Sequence, residues 1–329
     1  MKASCRPVDS QTLLQLREEH KESGPHDLLP NTHFPRDRVY WIQLACEQLT
    51  LPPSYCGRAT AKSTIGRLDA MVRLVVDREN EFDKISDGQG GSVFLEVIPI
   101  TFDLELSPGI SLSQIRLIHG DERHCSVAID SLNLEDDPVL IEKNGDRSDL
   151  SEFTDDAYAV PLSLDLSEDP ILKFAGFQAC VSSESTPINP AKTSFYEPKD
   201  FWTPVKPDSG NVEIKKEQFY IFRSRERFRI PGHMAVDCRA YSEGLGDIRI
   251  HYAGFAHPLF GKLFKDGTDN PKGAPLIFEV RGFSMNTILR DGSILAKVYF
   301  RRMSRAAIKT DGAYSNQELR LSKVFKDWH

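Results

Sequence analysis

No run of 18 consecutive apolar residues occurs in the 329-residue chain, so no membrane-spanning helix is expected. The first ten residues are polar and contain no signal-peptide core. Positive charge is not in excess either: 41 Lys and Arg against 48 Asp and Glu leave a formal net charge of −7. A global basic field of the kind that draws nucleic acid is excluded, and anion binding must come from a local cluster. The cysteines (Cys5, Cys46, Cys56, Cys125, Cys180, Cys238) form no CxxC pair and have no histidine at metal-site spacing. They read as free thiols of a reduced compartment, and the expected location is cytoplasmic.

What the chain does contain is alternation. Val39 to Leu51, Ile110 to Ile118 and Tyr158 to Leu166 alternate apolar and polar residues, and Pro or Gly turns follow every eight to twelve residues. This pattern predicts an all-β fold of the sandwich or barrel type. Helix signals are few. Thr12 to Lys21 predicts a short helix stopped by Ser-Gly-Pro, and Asn316 to Phe325 is a second helix-like piece. The proline-rich segment from Ser182 to Lys206 predicts an ordered loop or an edge crossing.

A repeat divides the chain. The segment from Val39 (VYWIQLACEQLTLPP) parallels the one from Gln218 (QFYIFRSRERFRIPG), and GGSVFLEV at 90–97 parallels APLIFEVR at 274–281. Glu47 corresponds to Glu226, and Glu96 to Glu279. Two blocks matched in the same order imply tandem β units. The expected layout is a first domain over 1–120, shortened at its start, a connector over 121–149, a second domain over 150–310, and a tail or lid over 311–329.

Chemistry concentrates between Arg58 and Glu96. The loop Lys62-Ser63-Thr64-Ile65-Gly66-Arg67 offers two cations and two hydroxyls beside a glycine. Such a set can hold an anion through charge-assisted bonds, although it lacks the glycines of a Walker motif. A solvated loop with Ser63 or Thr64 as a helix cap fits the same residues. Glu96, inside Val93-Phe94-Leu95-Glu96-Val97, fits either a buried base or a solvent-facing strand residue. Glu279 poses the same choice with Arg281 close by in sequence. Asp77 and Arg78 fit a site mouth or a turn at a strand end. His251 and His257 read as structural histidines, since no third metal ligand is visible. Tyr314 and Gln317 lie in a tail that folds across a neighbour or frays.

These blocks together resemble the trimeric dCTP deaminase and dUTP diphosphatase superfamily. AKSTIGRLD at 61–69 is similar to its phosphate-binding Ser-Ser-x-x-Arg loop. The likeness continues through LVVDR at 74–78, the Gly88 to Gly91 turn, VFLEV at 93–97 and PGISLSQIRL at 108–117. FYIFRSRE, HYAGFAHPLFG, FEVRG and RDGSILAKVYF repeat it, and YSNQELRLS resembles the family's C-terminal lid. The double-length layout looks like a bacterial tandem dCTP deaminase.

The resemblance implies a duplicated, dUTPase-like distorted β-barrel and a hydrolase of deoxynucleotide metabolism that converts dCTP and water to dUTP and ammonia. Glu96 would activate water, with Ser63 beside the intermediate. Lys62, Thr64 and Arg67 would bind phosphates, with Asp77, Arg78, Glu279, Tyr314 and Gln317 around the substrate. Mg²⁺ would ride on the triphosphate, with no zinc and no protein metal ligands. The implied partners are dCTP, with dUTP or dTTP as alternatives, and copies of the chain in a homotrimer or other homo-oligomer with composite sites. Nucleic acid and membrane are not expected partners. Two other readings stay open: a dUTP diphosphatase, alone or bifunctional, and a nucleotide-binding scaffold without turnover.

Departures from the family pattern are specific. Arg73 stands where the deaminases usually carry histidine. Ser86 replaces the aspartate of the Ile-Asp-Pro-Gly turn, and His257 replaces it in the second copy. Loss of that aspartate argues against diphosphatase activity. The second copy lacks a counterpart of Arg67 and is expected to complete a site shared with the first.

Overall fold

A computed structural model describes the chain except residues 9–10, 133–136, 138, 143–145, 147–155, 181–185, 241–247, 251–253, 265 and 310–313, and the side chains of 45–48. Two units emerge. The first comprises Met1–His124, Val181–Tyr196 and Ser322–Lys326, and the second Cys125–Cys180, Glu197–Leu321 and Asp327–His329.

The first unit opens with helix α1 (Leu13–His20). Thr12 and Gln15 form a capping box that satisfies the first free N–H groups, and Leu13 and Leu16 turn inward. Eight strands follow: β1 (Thr32–Phe34), β2 (Tyr40–Thr50), β3 (Tyr55–Ala61), β4 (Ala70–Val76), β5 (Lys84–Ile85), β6 (Gly90–Pro99), β7 (Leu104–Leu106) and β8 (Ser113–His119). A single turn of helix, α2 (Ser63–Gly66), separates β3 from β4. Strand β6 lies between β2 and β4, β3 lies between β5 and β8, and β1 pairs with β7, all antiparallel.

The second unit adds β9 (Leu140–Ile141), β10 (Ala159–Asp165), β11 (Gly176–Ala179) and β12 (Trp202–Val205). It then runs through β13 (Asn211–Ile214), β14 (Phe219–Phe228), β15 (Met234–Ala240), β16 (Ile248–Ile250), β17 (Phe255–Ala256), β18 (Ala274–Gly282), β19 (Thr287–Arg290) and β20 (Ile294–Arg302). Its core joins Phe222, Phe228, Phe278 and Phe300 to aliphatic residues of the same strands. Both units are therefore β-built, in agreement with the all-β expectation. Strand β12 ends a sheet path, where a proline such as Pro204 removes no interior ladder bond.

The strand ladders settle the repeat. Pairings β1–β7, β2–β6, β4–β6, β3–β5 and β3–β8 recur as β13–β19, β14–β18, β16–β18, β15–β17 and β15–β20. Register recurs as well. Trp41 faces Glu96, and Ile221 faces Glu279. Thr32 faces Leu106, and Val212 faces Leu289. Even the irregularity is shared. Gln43 faces Phe94 before the ladder resumes at Gln48 and Ser92, and Arg223 faces Ile277 before it resumes at Arg227 and Pro275. The first copy carries one more residue in this bulge, which is why a gapless comparison of the two strands slips by one at its start.

One expectation fails. No helix forms over 316–325. From Ser322 onward the backbone bonds to the segment ending at Tyr196: Phe195 and Tyr196 donate to Val324, and Lys326 donates to Tyr196. Buried Val324 and Phe325 are held by that extended pairing. Tertiary partners override a weak local helix pattern here.

Candidate active site

Lys62 occupies the cap position of α2, without a side-chain capping bond, and its N–H donates to Leu112 at 3.0 Å. Ser63 is half-buried, while Thr64 and Arg67 are buried at 8% and 2% exposure. The turn is tied down from both ends. Arg67 N–H donates to the Ser63 carbonyl at 3.1 Å, and the Ser322 hydroxyl donates to the Thr64 carbonyl at 3.1 Å. The sequence-predicted phosphate residues thus sit together on one short turn that leads into β4.

Asp77, at the end of β4, uses both carboxylate oxygens on backbone. Leu13 N–H donates to Oδ1 at 2.6 Å, and Ser92 N–H donates to Oδ2 at 3.0 Å. Gly91 makes this approach possible. Its φ is +147°, and a Cβ there would fall 2.7 Å from Cβ of Asp77. Asp77 lies in the turn that follows β4. Arg78 follows it, exposed, at φ +61°.

Glu96 is fully buried in β6. Ser4 Oγ (2.9 Å) and Arg73 Nη2 (2.5 Å) donate to Oε1, while Cys5 N–H (3.3 Å) and Trp41 Nε1 (3.2 Å) donate to Oε2. Arg73 also donates to Ser4 Oγ at 2.6 Å, and its guanidinium lies 3.7 Å from the Phe82 ring centroid. Burial and, second, the Glu96 charge push the Cys5 thiol up to about 11. Ser63, Arg67 and Arg78 are not among the groups that hydrogen-bond to Glu96. Asp83, which accepts Leu74 N–H at 2.7 Å, is raised to about 6, mainly by burial.

Sequence reasoning flagged Arg73 as a departure but missed its partner, because a cross-strand pair depends on register. It also missed Ser4 and Trp41. Alternation along β2 carried the signal for Trp41; nothing local marks Ser4. Ser86 donates both its N–H and its hydroxyl to buried Glu79, so the residue at the altered turn is engaged within the fold.

In the second unit Glu279 is 5% exposed on β18. Cys238 of β15 is pushed up to about 12, by burial first, then by Glu279 and Asp237. Gln317, 5% exposed, donates to the Pro275 carbonyl at 3.2 Å, which brings this tail residue to the strand that carries Glu279. Tyr314 is half-buried in a turn. His257 reads as structural: Nδ1 lies 2.8 Å from the Pro258 carbonyl and Nε2 3.3 Å from Ser315 Oγ. His251 falls outside the described residues. Among the described residues no group of three or more His, Cys, Asp or Glu is arranged to hold a metal ion, and no helix is long and apolar enough to cross a membrane.

Two family models match, end to end. Residues 3–121 match the N-terminal domain of 2'-deoxycytidine 5'-triphosphate deaminase, and residues 133–325 match its C-terminal domain. The chain belongs to the dCTP deaminase family. A crystal structure of 2'-deoxycytidine 5'-triphosphate deaminase from Agrobacterium tumefaciens is similar at a TM-score of 0.80 and 26% identity, covering 96% of this chain and 85% of that one. No curated protein matches the sequence. The duplicated dUTPase-like fold and the hydrolase class of dCTP deaminases in pyrimidine deoxynucleotide metabolism follow from this membership.

Proposed function

We propose that this chain converts dCTP and water to dUTP and ammonia, with the triphosphate held at Lys62, Ser63, Thr64 and Arg67. Two cations and two hydroxyls on a single turn suit an anion of that charge. Mg²⁺ enters on the phosphates, where it needs few protein ligands. Glu96 takes a proton from the water that attacks C4 of cytosine, with Ser63 beside the intermediate and Glu279 on the substrate side. The proton passes to N4, the C4–N4 bond breaks, and ammonia leaves. Tyr314 and Gln317 belong to a tail that closes over bound nucleotide. The active form is a homo-oligomer, a trimer by family resemblance, with sites composed from more than one copy of the chain, and it works in the cytoplasm.

The observation that carries this reading is the match of both halves of the chain to the two successive deaminase domains. Incubation with dCTP and Mg²⁺ tests it. Equal release of ammonia and dUTP is expected. Pyrophosphate from dUTP would indicate the diphosphatase instead, and no product from folded protein would indicate a binding scaffold.

A further inference from the structure

The first unit takes in two later segments, one ending at Tyr196 and one running from Ser322 to Lys326. The earlier segment is bonded to β7 and the residue before it. Glu105 N–H donates to the Ile188 carbonyl and Ile188 N–H to the Asp103 carbonyl, each at 2.9 Å, and the Asn189 amide donates to Glu105 Oε1 at 3.0 Å. The later segment is bonded to the earlier. Ser194 N–H donates to Lys323 and Phe195 N–H to Val324, each at 2.8 Å, and the Tyr196 and Phe325 rings meet edge to face. Ser322, 2% exposed, opens a segment whose path these bonds fix.

That path ends on the phosphate turn, and the shortness of α2 is the reason. A single turn of helix cannot supply intrahelical donors to all its carbonyls. Lys62 receives the N–H groups of Ile65 and Gly66, Ser63 receives that of Arg67, and Gly66 that of Asp69. Leu68 N–H, the α-helical donor for the Thr64 carbonyl, goes to Ile65 instead at 3.0 Å. The Ser322 hydroxyl donates to the Thr64 carbonyl at 3.1 Å, from 258 residues away in sequence. The bond is buried, so its loss costs the acceptor a partner that water does not readily replace.

Thr64 stands between Ser63 and Arg67 on a turn whose ends are tied together, since Arg67 N–H donates to the Ser63 carbonyl. A shift of the Thr64 peptide therefore moves the neighbouring groups with it. Charge-assisted contacts to phosphate depend on such geometry.

On the phosphate-turn reading above, we infer that Ser322 is a positioning residue of the triphosphate site: its hydroxyl fixes the Thr64 peptide, and with it the angle at which Ser63, Thr64 and Arg67 meet the phosphates. Ser322 acts through the turn and tunes affinity for the charged end of the nucleotide.

The test compares wild type, Ser322→Ala, Ser322→Cys, Arg67→Ala and Tyr40→Phe. Isothermal titration follows binding of dCTP with Mg²⁺ and of deoxycytidine, and initial rates of ammonia release give KM and kcat. Tyr40→Phe is the control, because it removes a hydroxyl bond of the same unit, to the Pro35 carbonyl at 3.2 Å, from β2 and not from the turn. Ser322→Ala is expected to bind dCTP about tenfold more weakly, the scale of one hydrogen bond, and deoxycytidine as wild type does. Its KM for dCTP rises, and kcat stays within about threefold. Tyr40→Phe is expected to keep both affinities. Ser322→Cys retains a weak donor and is read in place of Ser322→Ala if the latter does not fold.

A folded Ser322→Ala with wild-type dCTP affinity overturns the inference. Equal losses for dCTP and deoxycytidine overturn it too, as does the same loss in Tyr40→Phe. Failure of both Ser322 variants to fold makes the bond a support of the fold and overturns it as well. Wild-type dCTP affinity in Arg67→Ala is a different result and refutes the phosphate-turn reading on which the inference rests. Wild type that binds dCTP and releases no ammonia refutes the deaminase reaction and leaves the binding comparison standing.

Discussion

Arg73 and Glu96 face each other across neighbouring strands β4 and β6, with Nη2 2.5 Å from Oε1. Glu96 is fully buried and the Arg73 side chain only 15% exposed. Removing one partner of such a pair leaves the other charge buried, at a cost of roughly 3–5 kcal/mol, whereas replacing both with apolar side chains is often neutral. Arg73→Ala is therefore expected to destabilise the first unit by about 3 kcal/mol, and Arg73→Met/Glu96→Met by far less. Urea unfolding followed by Trp41 fluorescence reads this, after Trp202 and Trp328 of the second unit are changed to Phe.

Asp77 serves as a backbone fastener. Its loss strands the N–H groups of Leu13 and Ser92. Asp77→Ala is expected to cost roughly 1–3 kcal/mol. Faster amide exchange at Leu13 than at the centre of β4 would show that α1 is released first. Uniform exchange across the unit would contradict that order.

Asp83 supplies a pH signature. Its carboxyl is raised to about 6 in the fold, mainly by burial. Between the ordinary carboxylate range and pH 6 the folded state therefore binds the extra proton, so this group's contribution falls as pH rises through that window. Asp83→Asn removes the slope and keeps an acceptor for Leu74 N–H. The position has φ +60°, which asparagine tolerates. The variant is expected to gain up to about 2 kcal/mol over wild type at pH 7.5 and little at pH 4. Equal pH profiles would reject the burial account.

Arg67→Ala tests the phosphate turn. Because a guanidinium recognises charge on phosphate, the expected loss of affinity is large for dCTP and small for deoxycytidine. Equal losses for both ligands would move Arg67 out of the phosphate site.

The sequence carried the fold further than the site. Period-two alternation in β2, β8 and β10, and the paired FLEV and FEVR blocks, were legible because strands print their pleat into the chain. The helix at Leu13 was legible through its pattern and its Ser-Gly-Pro stop. Asn316 to Phe325 misled because a helix-like pattern is cheap in sequence, and the backbone of its later part found Tyr196 instead. At the site, the grouping of Lys62, Ser63, Thr64 and Arg67 followed from adjacency. The partners of Glu96 did not. Ser4 is 92 residues away in sequence and Trp41 55, and only the register of β2, β4 and β6 and the path of the N-terminus bring them to one carboxylate.

The most direct measurement of the central claim is a time course of purified protein with dCTP and Mg²⁺, assayed for ammonia, dUTP and pyrophosphate together. A dCTP deaminase yields ammonia and dUTP in equal amounts, with no pyrophosphate. Folded protein that binds dCTP yet releases no ammonia would contradict it.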